Sequence, residues 1–362
     1  MNVALLISGG VDSSVALRLL QQQGHQVTAF YLKIWLEDEL SFLGECPWEE
    51  DLSFVRAVCE QAGVPLEVIS FQKEYWDSVV ADIVDQIRQG LTPNPDILCN
   101  QRVKFGAFYA YIDMIYRAQN PDKLFDKIAT GHYAQVTERD GIFYLKQSPD
   151  VIKDQTYFLS RLNQKQLARA LFPIGHLKKA EVRDLAEQFN LLNKKRKDSQ
   201  GICFLGKLKF SEFVKYHMGE KQGDIVEFET GKKLGTHQGV WFYTIGQRQG
   251  IGLSGGPWYI VDKNSSENSI FVSRSYHTAD KGRDIVSIGL CHWISGYRPL
   301  ADIMVKLRHG SHIYQATVQQ QTKAGDSLII KLPYNDQGIA AGQYAVFYEK
   351  DVCLGGGVIT RL

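Results

Sequence analysis

Five apolar residues in succession, 3–7, give the chain a first strand with no polar face, the pattern of a strand covered on both sides in a parallel sheet. Behind it Val11, Val15 and Leu19 recur at helical spacing with Ala16 and Leu20 beside them, and Gly24 supplies a stop. The alternation continues: residues 27–32 read as a strand, 49–61 as a charged helix closed by Gly63, 66–69 as a third strand, and 71–89 as a long amphipathic helix closed by Gly90. Two prolines in LTPNPDILCN (91–100) predict an ordered loop there, with a helix over 103–118, a strand over 127–132 and a helix over 178–189 after it. This order predicts an α/β fold, an open parallel sheet with helices on both faces. Ligands in such folds bind at the carboxyl ends of the strands, so Ser8, Leu32 and Gly131 should converge.

Past residue 206 the pattern changes to glycines and β-branched residues, with short strands expected at 270–272, 303–307, 314–318, 327–332 and 344–348. The predicted division is a catalytic α/β domain over 1–205, a small central linker domain over 206–278 and a C-terminal β-barrel over 279–362.

Composition adds limits. A chain of 362 residues is too long for one typical core, and 44% hydrophobic with 22% charged residues describes an ordinary globular protein. No apolar run approaches a membrane span and no charged leader precedes the first strand, so a cytoplasmic protein without membrane partners is expected. A net charge of +1 gives no global attraction to nucleic acid, and a polyanion would have to be held by a local patch. Six cysteines (46, 59, 99, 203, 291 and 353) lack CxxC or zinc spacing and are expected to be mostly reduced thiols.

Between the first strand and its helix stands Ser8-Gly9-Gly10-Val11-Asp12-Ser13-Ser14. Two glycines let backbone N–H groups approach a ligand, and the helix N-terminus favours an anion, so a phosphate or pyrophosphate belongs there. The loop lacks the Lys of a Walker P-loop and the glycine spacing of a dinucleotide fingerprint. A loop that merely turns the chain is the competing reading; the register of strand, loop and helix weighs against it. The string resembles the SGGxDSS loop of ATP pyrophosphatases, which adenylate a carbonyl oxygen. That resemblance implies ATP held by Leu6, Ile7, Ser8, Gly9, Gly10, Val11 and Ser13, with Asp12 helping to place Mg2+ and Leu32 and Gly131 packing against adenosine.

Five further strings, TPNPDILCN (92–100), ATGHYA (129–134), KDQTYFL (153–159), KDSQGICF (197–204) and YTIGQRQG (243–250), follow in the order found in the bacterial tRNA-specific 2-thiouridylase family, which the chain resembles over most of its length. The resemblance implies adenylation of the C2 oxygen of the wobble uridine in tRNAs of the Lys, Glu and Gln type, followed by sulfur transfer. Cys203 corresponds to the residue that carries sulfur as a persulfide. Cys99 corresponds to the nucleophile that reduces the persulfide or forms a transient disulfide with it, and Asp96 to the acid/base, while Asn94 and Pro95 contact the base. His132, Lys153, Asp154 and Gln155, and in the barrel Arg308, His309 and Gln343, correspond to tRNA contacts. A persulfide donor protein and a monomeric enzyme are also expected.

The run Lys194-Lys195-Arg196-Lys197 could lower the pKa of the Cys203 thiol. Departures from the family pattern are Leu32 for the frequent Met, Ile34 where many members have Asn, and Gln200 for Thr; Cys46, also in a loop, is an alternative resolving thiol. Two rival readings use the same loop. One is a synthetase that adenylates another substrate and admits ammonia, which needs no cysteine pair. The other is a non-catalytic RNA-binding protein built on a nucleotide fold.

Overall fold

The computed structural model describes residues 1–34, 47–119, 124–197, 210–275, 283–323, 325–336 and 338–361. Strands β1 (Asn2–Leu6), β2 (Gln26–Lys33), β3 (Leu66–Ser70), β4 (Lys127–Thr130) and β7 (Ala170–Leu171) form an all-parallel sheet in the order β3-β2-β1-β4-β7. The unbroken apolar run of β1 has the predicted cause. Val3 and Leu5 face a core built with Val15, Ala16 and Leu20 of α1 (Val11–Gln22), Val55 and Val58 of α2 (Pro47–Ala62) and Val182 and Ala186 of α7 (Lys179–Gln188). Ala4 and Leu6 face the other side, where Phe71, Val80, Ile83 and Phe108 lie. Because β1 has neighbours on both sides, the chain reverses its direction of sheet growth between β1 and β4, and the crevice at that point opens at the carboxyl ends of the strands.

Of the two helices on that second face, the one over 72–88 matches its expected length and the one over 95–119 starts eight residues earlier than expected, and both contain π segments. In α3 a π-turn, Trp76–Val80, joins Gln72–Tyr75 to Ala81–Arg88. In α4 the helix begins at Pro95, runs Pro95–Leu98, widens to a π segment over Cys99–Ala107 and continues as Phe108–Gln119. The expected loop over 91–100 is therefore corrected. Its second proline occupies the first helical position, where a missing N–H costs nothing, and Asn94 caps the helix by accepting the Ile97 N–H at 3.3 Å.

Two short helices, α5 (Thr156–Leu159) and α6 (Gln164–Arg169), follow the hairpin β5 (Ala134–Arg139) and β6 (Ile142–Gln147). After α8 (Phe210–Met218) comes a small sheet ordered β10-β11-β8-β9, from β8 (Gly223–Glu227), β9 (Lys233–His237), β10 (Tyr259–Asn264) and β11 (Ser269–Ser273), around Ile225, Trp258, Ile260 and Ile270.

The C-terminal strands are β12 (Arg283–Trp293), β13 (Asp302–Lys306), β14 (Tyr314–Gln321), β15 (Leu328–Asp336), β16 (Tyr344–Glu349) and β17 (Val352–Ile359). They pair in the order β12-β15-β14-β13-β16-β17, and β17 returns to β12, which closes a six-stranded antiparallel barrel. Hairpin β5–β6 does not join the parallel sheet. It extends the barrel sheet through β6 against β17, with Leu145 opposite Cys353. Ile97, Cys99 and Tyr157 share one core with Tyr344, Val346 and Tyr348 of β16, so the barrel is packed directly against the start of α4. No helix among the described residues is long and apolar enough to cross a membrane.

Candidate active site

At the crevice between β1 and β4 lies a cavity of about 390 Å³ lined by Leu6, Ile7, Ser8, Gly10, Val11, Asp12 and Ser13, together with Leu32 from β2 and Gly131 from the end of β4. Ser8, Leu32 and Gly131 thus converge, and the volume lies in the range of small-molecule sites. Gly9 turns the chain at φ +79°, and a Cβ there would stand 2.8 Å from the Asp51 carbonyl oxygen. Gly10 is the N-cap of α1 and has no side chain with which to cap, which leaves first-turn N–H groups to a ligand. Ser13 and Ser14 both donate to the Gly10 carbonyl, at 3.1 and 3.0 Å, so the loop is folded onto the helix it precedes.

Cys99 lines the same cavity, although its setting is a helix rather than a loop and it is 2% exposed. Asp96 stands three residues earlier on α4, in the first turn. His132, Lys153 and Gln155 also line the cavity. The His132 Nδ1 lies 2.7 Å from the Thr130 hydroxyl; burial first, and then the Lys104 charge, hold its pKa well below the usual imidazole value. Gln155 is fixed by two bonds to Tyr133, accepting its N–H on Oε1 and donating its own N–H to the Tyr133 carbonyl, each at 2.9 Å.

Asp154, by contrast, is buried, with its side chain 1% exposed: its carboxylate accepts from Thr156 Oγ1 at 2.8 Å and the Ser148 N–H at 3.2 Å, and pairs with Lys306 of β13 at 3.4 Å. Of the barrel residues, Gln343 reaches the segment that leads into α4. Gln343 donates to the carbonyl of Thr92 at 3.3 Å, and Thr92 N–H donates to Ala341 O at 2.8 Å. His309 stacks on Phe158 at 4.5 Å between ring centroids; burial lowers its pKa, with the Lys306 charge adding to that and Asp154, more than Asp96, pulling it back up. Arg308 is hydrogen-bonded to Asp336, and its side chain is about half exposed.

Cys203, Cys46 and Gln200 lie outside the described residues. Of the basic run, Lys194 pairs with Glu187 at 2.7 Å, Arg196 pairs with Asp51 and Lys197 lines the cavity. Of the remaining described cysteines Cys59 and Cys353 are buried and Cys291 is half-buried; burial pushes Cys59 and Cys291 up to about 11 and Cys353 to about 12.

Three family models match in series: the tRNA methyl transferase HUP domain over residues 1–207, the tRNA methyl transferase PRC-barrel domain over 211–274 and the Aminomethyltransferase beta-barrel domain over 283–359. Proteins named tRNA-specific 2-thiouridylase MnmA match end to end. One from Parabacteroides distasonis is 42% identical over 99% of both chains, and one from Bacteroides thetaiotaomicron is 43% identical over 100% of both. The chain belongs to the tRNA-specific 2-thiouridylase family. A solved 4-thiouridine synthetase–RNA complex with bound ATP aligns at a TM-score of 0.31 and 14% identity, over 60% of this chain and 50% of that one, too slight a likeness to bear on the site.

Within this thiouridylase architecture the phosphate loop is held by residues its motif does not announce. Asn193 Nδ2 donates to the Gly9 carbonyl at 2.8 Å and to Ser14 Oγ at 2.9 Å. Lys179, at the start of α7, bridges both Asp12 oxygens at 2.8 and 3.0 Å, and Tyr133 donates to Oδ1 at 2.9 Å. Lys179 follows Asp12 by 167 residues, so no local pattern joins them. Among the described residues no group of three or more His, Cys, Asp or Glu side chains could hold a metal ion by itself.

Proposed function

We propose that this chain uses ATP to adenylate the C2 oxygen of the wobble uridine in tRNAs of the Lys, Glu and Gln type, and then replaces that oxygen with sulfur. One observation carries the reading: a single cavity joins the phosphate loop to Cys99, on a helix whose first turn carries Asp96 and packs through Ile97 against the barrel. The uridine O2 attacks the α-phosphorus, and pyrophosphate leaves into the N–H groups of the Ser8–Ser13 loop. Asp96 moves the proton at the base, beside Asn94 and Pro95. A persulfide on Cys203 supplies sulfur: its outer sulfur bonds to C2, AMP departs, and the Cys99 thiolate takes the Cys203 sulfur to leave a disulfide that a thiol reductant reopens.

Asp12 fits a magnesium ion only with the nucleotide phosphates as its other ligands, which is the usual habit of Mg2+, and the ion would neutralise phosphate charge there. Since Lys179 and Tyr133 occupy the Asp12 oxygens, one of them must yield to the ion. Lys153, Gln155 and His132 line the mouth toward the tRNA, and Arg308 offers its exposed guanidinium. The reading includes a persulfide donor protein, a monomeric cytoplasmic enzyme, and division at 1–205, 206–278 and 279–362.

The test is thiolation of an unmodified glutamate tRNA transcript with ATP, magnesium and a persulfide donor, read as 2-thiouridine by nucleoside mass spectrometry. Product is expected with the wild-type chain and is expected to vanish with Cys99→Ser and with Cys203→Ser. AMP formation with ammonia as acceptor and no thiouridine would replace this reading by that of an ammonia-accepting synthetase.

A further inference from the structure

A second cavity, of about 210 Å³, lies where the three parts of the chain meet, and it shares no lining residue with the first. Thr92 enters it from the segment that leads into α4, Asp262 and Lys263 from β10, Arg283 from β12, and Arg361 from just beyond β17. Three cations therefore face one carboxylate. That carboxylate is turned to backbone, since Asp262 Oδ1 accepts the Lys263 N–H at 2.8 Å. Two of the cations reach neutral acceptors: Lys263 Nζ donates to the Tyr243 carbonyl at 2.8 Å and Arg361 Nη2 to the Gln89 carbonyl at 3.2 Å. Among the described residues none of the three cations forms an ion pair.

Burial and the neighbouring Arg361 push the Lys263 ammonium down to about 8, against a smaller opposing pull from Asp262. Convergent cations without a counter-ion repel one another, and an anion among them removes that repulsion. The enclosed volume suits a phosphate or pyrophosphate, and a planar guanidinium is well matched to phosphate oxygens.

We propose that this junction cavity is a binding site for a phosphate group, free or carried by an RNA backbone. Occupancy ties Lys263 and Arg361 to the segment that begins at Thr92, and so sets the entry into α4 from outside the ATP cavity. An anion there also favours the protonated Lys263, so binding near pH 8 takes up protons.

The experiment titrates inorganic phosphate and then pyrophosphate into the full chain at pH 8 by calorimetry, in two buffers of different ionisation enthalpy. Wild type, Lys263→Met and Arg361→Gln are compared. Lys263 is not part of the Ser8 cavity, so only binding lost in these variants is assigned to the junction. At least tenfold weaker binding in both variants, with proton uptake present in the wild type and absent in Lys263→Met, supports a free-anion site. Equal phosphate binding in all three, but a slope of log affinity against log salt for a tRNA transcript reduced by about one in each variant, supports an RNA phosphate as occupant. Only that second arm rests on the tRNA reading; if the wild-type chain binds no tRNA, the phosphate titration decides alone. Equal phosphate affinity together with an equal or absent tRNA salt slope overturns the proposal. Arg361 is exposed, so Arg361→Gln keeps the comparison informative should Lys263→Met fail to fold.

Discussion

Gly131 shows how one hydrogen atom can set the shape of a cavity. A Cβ at that position would stand 2.7 Å from the Ser13 nitrogen and 2.9 Å from the Asp12 carbonyl carbon, both backbone atoms of the first turn of α1. Neither can rotate away, so Gly131→Ala must move the turn that presents the phosphate donors. The expected outcome is a loss of about 1–3 kcal/mol in stability, typical of overpacking, and at least tenfold weaker ATP binding by calorimetry. Unchanged affinity would show that the loop is set elsewhere, for instance by Asn193. His132 makes a second prediction at this scale. Its folded pKa is depressed by burial, so the folded chain stays neutral there while the unfolded chain takes a proton below about 6.5. The unfolded state then binds more protons, and stability falls as pH drops from about 6.5 toward the lower folded value. Denaturant midpoints between pH 7 and 5 should fall less steeply in His132→Asn; an equal slope would remove His132 from the account of acid sensitivity.

At the scale of elements, α4 is where the chemistry is aimed, and its cap is the lever. Asn94→Ala removes the acceptor for the Ile97 N–H and should cost about 1 kcal/mol, whereas Asn94→Asp should restore most of that loss in thermal unfolding. Thiolation should recover with Asp only so far as the cap, rather than contact with the base, is what Asn94 supplies. The element also marks where reading the sequence succeeds and fails. β1 follows from an unbroken apolar run that packs on both faces, α1 and α7 from apolar periods of 3.6, and β13, β14, β15 and β16 from β-branched runs between turns, whereas β12 and β17 are not among the expected strands. The start of α4 does not follow either, because a proline read as a breaker is at home in the first helical position, and only the Asn-Pro pair before an apolar run hints at it. Family resemblance placed Cys99 and Gly131 at the cavity they line, yet it could not tell that Asp154 points inward. Which way a side chain faces depends on partners such as Lys306, 152 residues later in the chain.

For the whole molecule, the joint between barrel and catalytic unit is a buried polar network rather than an apolar seam alone. The Asp154 and Lys306 side chains are each 1% exposed; Thr156 Oγ1 donates to Asp154 and lies 3.2 Å from the Tyr348 hydroxyl, and the Lys306 ammonium sits 5.2 Å from the centre of the Tyr348 ring. The residues on either side of Asp154, Lys153 and Gln155, line the cavity at the Ser8–Ser13 loop, and two residues beyond Lys306 comes Arg308. The pair thus ties the segment that lines the cavity to strand β13 of the barrel. Burying two charges is costly, and their mutual attraction roughly offsets that cost, so removing one partner does more harm than removing both. Lys306→Met leaves the Asp154 carboxylate buried without its cation and should cost about 3–5 kcal/mol in urea unfolding followed by circular dichroism. Lys306→Met combined with Asp154→Leu should recover more than half of that loss. The double variant should then separate stability from function: folded near wild-type midpoint, it should still bind ATP, while its tRNA affinity falls if the ion pair sets the register of the barrel. Single and double variants that lose stability equally would mean that packing around Tyr348, and not the charges, holds the joint.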